Sequence, residues 1–217
     1  RDNPKPPVAM VQAIVSQIGA GLQAMHRRQM LHQDIRPENI IIDAAGHVTL
    51  IDFGSAWVTG VDELASATGD PLPGTQQYMA PEYLLGEQGT AGSDLFSLGV
   101  LTYQMLSGRL PYGAAMAQAH SRAAQRRLGY DPVVDVDSEI PFFVDAALRK
   151  AVHYDPVRRQ QEVAEFIADL TRLNPALPGL ERPPLAERDP VLFWKSVSLI
   201  LSLVLIVLIG WLATHKP

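Results

Sequence analysis

The stretch LHQDIRPENIIID, residues 31 to 43, places His32, Asp34 and Asn39 just ahead of a short apolar run. Buried polar groups are costly unless they are paired or take part in function, so three of them beside Ile40, Ile41 and Ile42 call for a reason. Two further clusters follow in order. Asp52-Phe53-Gly54 comes 18 residues after Asp34, and Gly74-Thr75 leads through Tyr78-Met79 into Ala80-Pro81-Glu82. Carboxylates and amides of this kind accept protons and present oxygens to charged ligands. Hydrolysis built on Ser or His has little support, because the chain has no GxSxG and no metal-spaced histidine pair; its six histidines are scattered. A complete lack of cysteine removes thiolate metal sites and disulfides, and it fits a reducing compartment.

The elements around these residues can be read from spacing. Val11, Ile14, Val15, Ile18, Leu22 and Met25 follow helical spacing and predict one amphipathic helix. IIIDAAGHVTLID (40–52) predicts two short strands around a turn at Ala44–Gly46, and this hairpin ends at Asp52. DLFSLGVLTYQML (94–106) is apolar nearly all round but too short to cross a bilayer, which predicts a buried central helix. Pro141 to Val152 and Val163 to Leu170 predict two further amphipathic helices. The fold class is therefore α+β overall and mainly α, without internal repeats.

Composition sets the frame. The chain has 217 residues, 47% hydrophobic and 19% charged, which suits a globular body. A formal net charge of −5 and the lack of a basic run exclude a general nucleic-acid binder. Residues 1–7 are a Pro-rich lead-in, 8–172 the globular body, and 173–190 a stiff linker whose NPALPGLERPPLAERDP holds five prolines. Residues 191–213 predict a transmembrane helix, with 214–217 a short tail. From Ser196 to Ala213 no residue is charged, and as a helix this run rises about 27 Å, near the hydrocarbon thickness of a bilayer. Trp194 and Trp211 suit the two interfaces. Arg182, Arg188 and Lys195 precede the span and only Lys216 follows, which places the body in the cytoplasm, at the inner face of the membrane.

His32-x-Asp34-x-x-x-x-Asn39, Asp52-Phe53-Gly54 and Ala80-Pro81-Glu82, in this order and joined by a strand–turn–strand, resemble the C-terminal lobe of a protein kinase over residues 8 to 172. The wording Arg36-Pro37-Glu38-Asn39 with Gly74-Thr75 is similar to Ser/Thr rather than Tyr kinases. The resemblance implies phosphoryl transfer from ATP to a protein substrate, which is largely positioning and charge neutralisation. It makes Asp34 the catalytic base and puts the charge of Arg36 near the γ-phosphate. Thr75 would hydrogen-bond Asp34 and help seat the substrate. Asn39 and Asp52 would hold Mg²⁺ and, through it, the nucleotide. It assigns structural places to His32 packed beneath Phe53, to Gly54, to Asp94 bonding the backbone of the catalytic loop, and to Arg159 pairing with Glu82.

Three departures shape the expectation. Gln33 stands where most kinases carry an arginine that binds a phosphorylated activation segment, and it lacks the charge and the bidentate fork for that task. Phosphorylation at Thr59, Ser66 or Thr68 is therefore expected to be unnecessary for activity. Arg36 replaces the usual lysine and keeps its charge. No glycine-rich phosphate loop and no V-A-I-K-type lysine occurs ahead of the first helix, so the N-terminal lobe is absent and these residues alone are expected to transfer phosphate poorly. The whole is expected to be a membrane-anchored Ser/Thr kinase, similar to bacterial kinases fused behind a PP2C-type phosphatase domain that would lie upstream. The rival from another class is a membrane-anchored pseudokinase scaffold. Substituting Asp52 separates the two.

Overall fold

In the computed structural model the described residues are 5–52, 54, 56–58, 77–177, 194–195 and 197–202. The spacing that predicts the first helix is realised as α1, Val8–His26, which buries Val11, Ile14, Val15, Ile18 and Leu22. Each such aliphatic side chain contributes about 1.5–3 kcal/mol when taken out of water. By length and composition α1 is the one described helix that could cross a bilayer, yet its apolar stripe packs on α6 and α2. The predicted central helix is α2, Ala91–Ser107, and 13 of its 17 residues are buried, which explains an apolar pattern with no polar face. Two of its buried hydroxyls turn back onto the helix: Thr102 Oγ1 donates to Leu98 O at 2.7 Å and Ser107 Oγ to Tyr103 O at 2.7 Å. A capping box of Thr90 and Ser93 starts α2, and Gly108, at φ 71°, ends it in the left-handed region.

Two short helices, α3 (Arg122–Gln125) and α4 (Val133–Val136), fill the connection to α5, Phe142–Ala151; α6, Val163–Thr171, follows. The last two match the predicted helices to within a residue or so. Two of the helix contacts run close to a glycine. A Cβ on Gly19 would lie 3.0 Å from Ile167 of α6, and one on Gly99 would lie 2.9 Å from Val152, at the end of α5.

The predicted hairpin is β2 (Ile40–Ile42) against β3 (Val48–Leu50), antiparallel, with Ile41 opposite Thr49. Asp43 Oδ1 accepts from Ala45 N and His47 N, and Gly46 takes φ 85°, so the turn falls at the predicted place. A second ladder was not anticipated. β1 (Met30–Leu31) pairs with β4 (Trp57–Val58), tying the chain just before His32 to the chain just after Gly54. Strands of two residues leave no period to detect.

Residues 181–217 form a separate unit. Within it residues 194–195 and 197–202 are helical, and Trp194, Leu199, Ile200 and Leu201 are exposed. The rest of the predicted membrane span lies outside the described residues.

Candidate functional site

The site is built on a pinned loop. Asp94, in the first turn of α2 and 1% exposed, accepts from His32 N at 2.9 Å and from Gln33 N at 2.8 Å. His26 Nε2, at the end of α1, meets the same carboxylate at 2.8 Å. Gln33 itself sits at φ 64°, a left-handed conformation that costs a non-glycine residue about 1–3 kcal/mol and persists where the surroundings over-determine it. The two N–H bonds to Asp94 supply that constraint. His32 is fully buried. Phe53, its predicted neighbour, lies outside the described residues, as do Thr75, Thr59, Ser66 and Thr68.

From this fixed start the chain brings Asp34 and Asn39 together. Pro37–Asn39 forms one 3₁₀ turn with Pro37 at its first position. Asn39 Nδ2 donates to Asp34 Oδ2 at 2.7 Å and to Asp34 O at 2.8 Å. With both amide hydrogens committed, the oxygen is what Asn39 has left to offer a ligand. Ile51 N donates to Asn39 O at 2.9 Å, which extends the hairpin by one bond beyond β3 and leaves Asp52 as the next residue along the chain. Asp52 is exposed, sits at φ 62°, and receives Gly54 N on Oδ1 at 3.1 Å. No hydrogen bond joins Asp52 to Asp34 or Asn39.

The cation of the loop is directed as well. Arg36 Nε donates to Glu38 at 2.8 Å; that bond raises the guanidinium pKa and lowers the Glu38 carboxyl, while the charge of Asp34 adds to the rise on Arg36. The available donors at the site are thus two carboxylates and an amide oxygen, with one guanidinium in the field of Asp34. Among the described residues no three His, Asp or Glu side chains gather to hold a metal unaided. Hard oxygen donors of this number suit Mg²⁺, which takes one or two carboxylates and completes its shell from water and phosphate.

A second brace lies below the loop. Glu82 and Arg159 form a bidentate ion pair, Nη1 to Oε1 at 2.8 Å and Nη2 to Oε2 at 2.7 Å, with both side chains buried. Ser93 Oγ, one residue before Asp94, donates to Glu82 Oε1 at 2.6 Å. Burial pushes the Glu82 carboxyl up, but the hydrogen bond and charge of Arg159 with the Ser93 bond outweigh it and leave the pKa below its ordinary value. The guanidinium also donates to Gly92 O and His153 O and lies 4.8 Å from the Phe96 ring centre. Gln125 Nε2 donates to Pro81 O at 2.8 Å, fixing the next residue along.

Both predicted long-range contacts, Asp94 to the loop and Arg159 to Glu82, are therefore present. Sequence reasoning missed His26 and Ser93. Ser93 directly precedes Asp94, and a hydroxyl at the third position of a helix that starts after Thr90 is a capping signal. A single histidine at the end of α1 carries no such mark.

The protein kinase domain family matches residues 6–177. Among curated relatives, serine/threonine-protein kinase PknB of Mycobacterium leprae is 31% identical across 87% of this chain and 30% of its own length. The PknA kinase of Corynebacterium glutamicum is 36% identical over 67% of this chain and 30% of its own length, and PrkC of Bacillus subtilis 29% over 72% and 24%. The chain spans under a third of the length of these relatives.

Proposed function

This chain belongs to the protein kinase domain family, and we propose that it is the catalytic-loop lobe of a serine/threonine protein kinase, acting together with an ATP-gripping lobe outside these residues. The observation that carries the reading is the Asp34–Asn39 contact on a loop whose backbone Asp94 holds, with Asp52 two residues beyond the end of the adjoining β3. In this reading Asp34 accepts or orients the proton of the substrate hydroxyl through the carboxylate oxygen that Asn39 leaves free. Asn39 and Asp52 hold Mg²⁺ with their oxygens, and Arg36 adds positive charge beside Asp34. Thr75 seats the substrate next to Asp34. When bound, magnesium-ATP supplies the phosphoryl group and the charge that offsets its oxygens. His32, Phe53 and Gly54 keep the loop and strand end in place.

Exposed Ile41 and Ile42 beside the site support a covering lobe. Next to them lies an apolar groove of about 310 Å³ lined by Ile14, Ile18, Ile40, Ile42, Leu101 and Met105. Such a surface is larger than scattered single exposures and marks an interaction face. In the same proposal residues 191–213 anchor the lobe to the inner face of the cytoplasmic membrane, and the Pro-rich linker with this tail fits a fused upstream phosphatase domain.

Asp52→Ala and Asp34→Asn in the full-length protein test the reading. Each is expected to lower transfer of labelled phosphate to a protein substrate at least about a hundredfold, with an unchanged circular-dichroism melt. Transfer that survives both substitutions sinks this assignment of the catalytic residues, and a wild type without transfer whose cellular phenotype survives Asp52→Ala leaves a scaffold.

A further inference from the structure

An open cleft of about 530 Å³ adjoins the site, between the end of α2 and the 3₁₀ turn Gly113–Gln118. Gln77, Gln104, Arg109, Met116 and Gln118 line it. Gln104 is the link to the catalytic loop, because its other side borders the groove that contains Pro37. Gln77 is the second link, because it follows by two residues Thr75, which is expected to help seat the substrate. Tyr78 OH donates to Gln104 Oε1, which commits that oxygen and leaves the amide nitrogen as the donor Gln104 presents.

Charge decides what the cleft would accept. Among the described residues its lining holds one cation, Arg109, three amides and no carboxylate. Arg109 is exposed and takes part in no ion pair among the described residues. Its backbone is held where the chain leaves α2, with Arg109 N donating to Ser107 Oγ at 3.0 Å and Ser107 Oγ donating to Tyr103 O. The nearby acid of the loop, Glu38, is already paired with Arg36. A guanidinium in a cleft that also carries amide donors and the apolar Met116 suits a carboxylate on a short aliphatic stem.

We propose that this cleft is a docking subsite for an acidic side chain of the protein substrate, with Arg109 as a specificity-determining residue. The inference rests on the kinase reading and adds to it a preference for Asp or Glu near the accepting hydroxyl. A solvent-exposed pair is worth little, so the selectivity is modest, roughly twofold to fivefold.

The test uses the full-length protein and peptides that carry one threonine, with Glu, Ala or Lys at each flanking position in turn. At one position or more, kcat/KM for Glu is expected to exceed that for Ala by about two- to fivefold, with Lys lowest. Arg109→Glu is expected to invert the Glu-to-Lys ratio, and a ratio cancels any general loss of activity. Arg122→Glu, outside the cleft, is expected to leave that ratio as it is. A wild type without a Glu preference at any position, or an Arg109→Glu variant with the wild-type ratio, overturns the subsite. A wild type that phosphorylates none of the peptides refutes the kinase reading itself. Fluorescence anisotropy then judges the cleft alone: tighter binding of the Glu than the Lys peptide, reversed by Arg109→Glu, upholds it, and equal binding overturns it.

Discussion

Removing Arg159 is expected to be among the most damaging single changes in the lobe. Its side chain is 0% exposed and that of Glu82 4%, so neither charge has water to fall back on. Arg159→Met takes away both bonds to Glu82 and the donors to Gly92 O and His153 O, leaving the carboxylate with Ser93 alone. Breaking one side of a buried pair in this way costs about 3–5 kcal/mol, against a total stability of roughly 5–15 kcal/mol for an ordinary domain. Replacing both partners, as Glu82→Leu with Arg159→Met, also removes the stranded charge, so the double variant should be more stable than Arg159→Met alone. Urea unfolding at pH 7 measures all three. The acid limb adds a check with a fixed sign. The folded Glu82 pKa lies below its ordinary 4.5, so the ionised carboxyl contributes stability fully above that value and loses it as pH falls through the folded value. The gap between wild type and Glu82→Gln should therefore hold steady near neutrality and narrow below about pH 4.5. An Arg159→Met penalty under about 1 kcal/mol, the range of exposed pairs, would refute the assignment of a desolvated brace.

Three other outcomes follow from the same geometry. Asp94→Asn keeps the shape but turns an amide toward His26 or a loop N–H; phosphoryl transfer by the full-length protein should fall about tenfold to a hundredfold, as for a displaced catalytic group, and hydrogen exchange at residues 32 and 33 should quicken. Gly99→Val forces α2 off Val152 and Ala151, and a thermal melt should show a loss of about 1–3 kcal/mol. Joint replacement of Thr59, Ser66 and Thr68 with alanine should leave transfer by the full-length protein intact, since Gln33 has no charge to engage a phosphate; a kinase assay that finds activity abolished in a folded variant contradicts this.

Legibility followed periodicity. α1 declared itself through six apolar positions on one stripe, and α2 through an apolar pattern with no gap, because long elements repeat their signal. β1 and β4, two residues each, repeat nothing, although their pairing closes the stretch that carries the site. The roles of Asp34, Asn39, Asp94 and Arg159 were legible through resemblance, and the Asn39–Asp34 bond itself was not anticipated. Nothing local marks Asp145. Among its partners only Arg149, four residues on, is implied by helical spacing; the bonds to Tyr130 OH at 2.9 Å and Val133 N at 2.7 Å belong to tertiary structure.

The buried charges, taken together, explain how a site can be exact while its own acids stay accessible. Among the described residues the buried acids and the buried arginine each tie separate segments, and most hold backbone. Asp94 binds His32 and Gln33, Asp145 binds Val133, Arg159 binds Gly92 and His153, and Asp169 joins Gln160 to Asn174. A charge withdrawn from water must be matched by several hydrogen bonds, and backbone groups in loops are the groups still unpaired after helices and strands form. Burial of these side chains therefore has loop position as its consequence. Asp34 and Asp52 lie at the other extreme, half-buried and exposed, where a carboxylate keeps its capacity for a ligand. Asn39 joins the two classes: its nitrogen pins Asp34 as the buried residues pin their loops, and its oxygen remains for the cleft. A change that removes the nitrogen, such as Asn39→Asp, would thus disturb the position of Asp34 and ligand binding together, whereas a change at Asp52 leaves the Asp34–Asn39 contact in place and gives up only the local bond from Gly54 N besides its ligand oxygens.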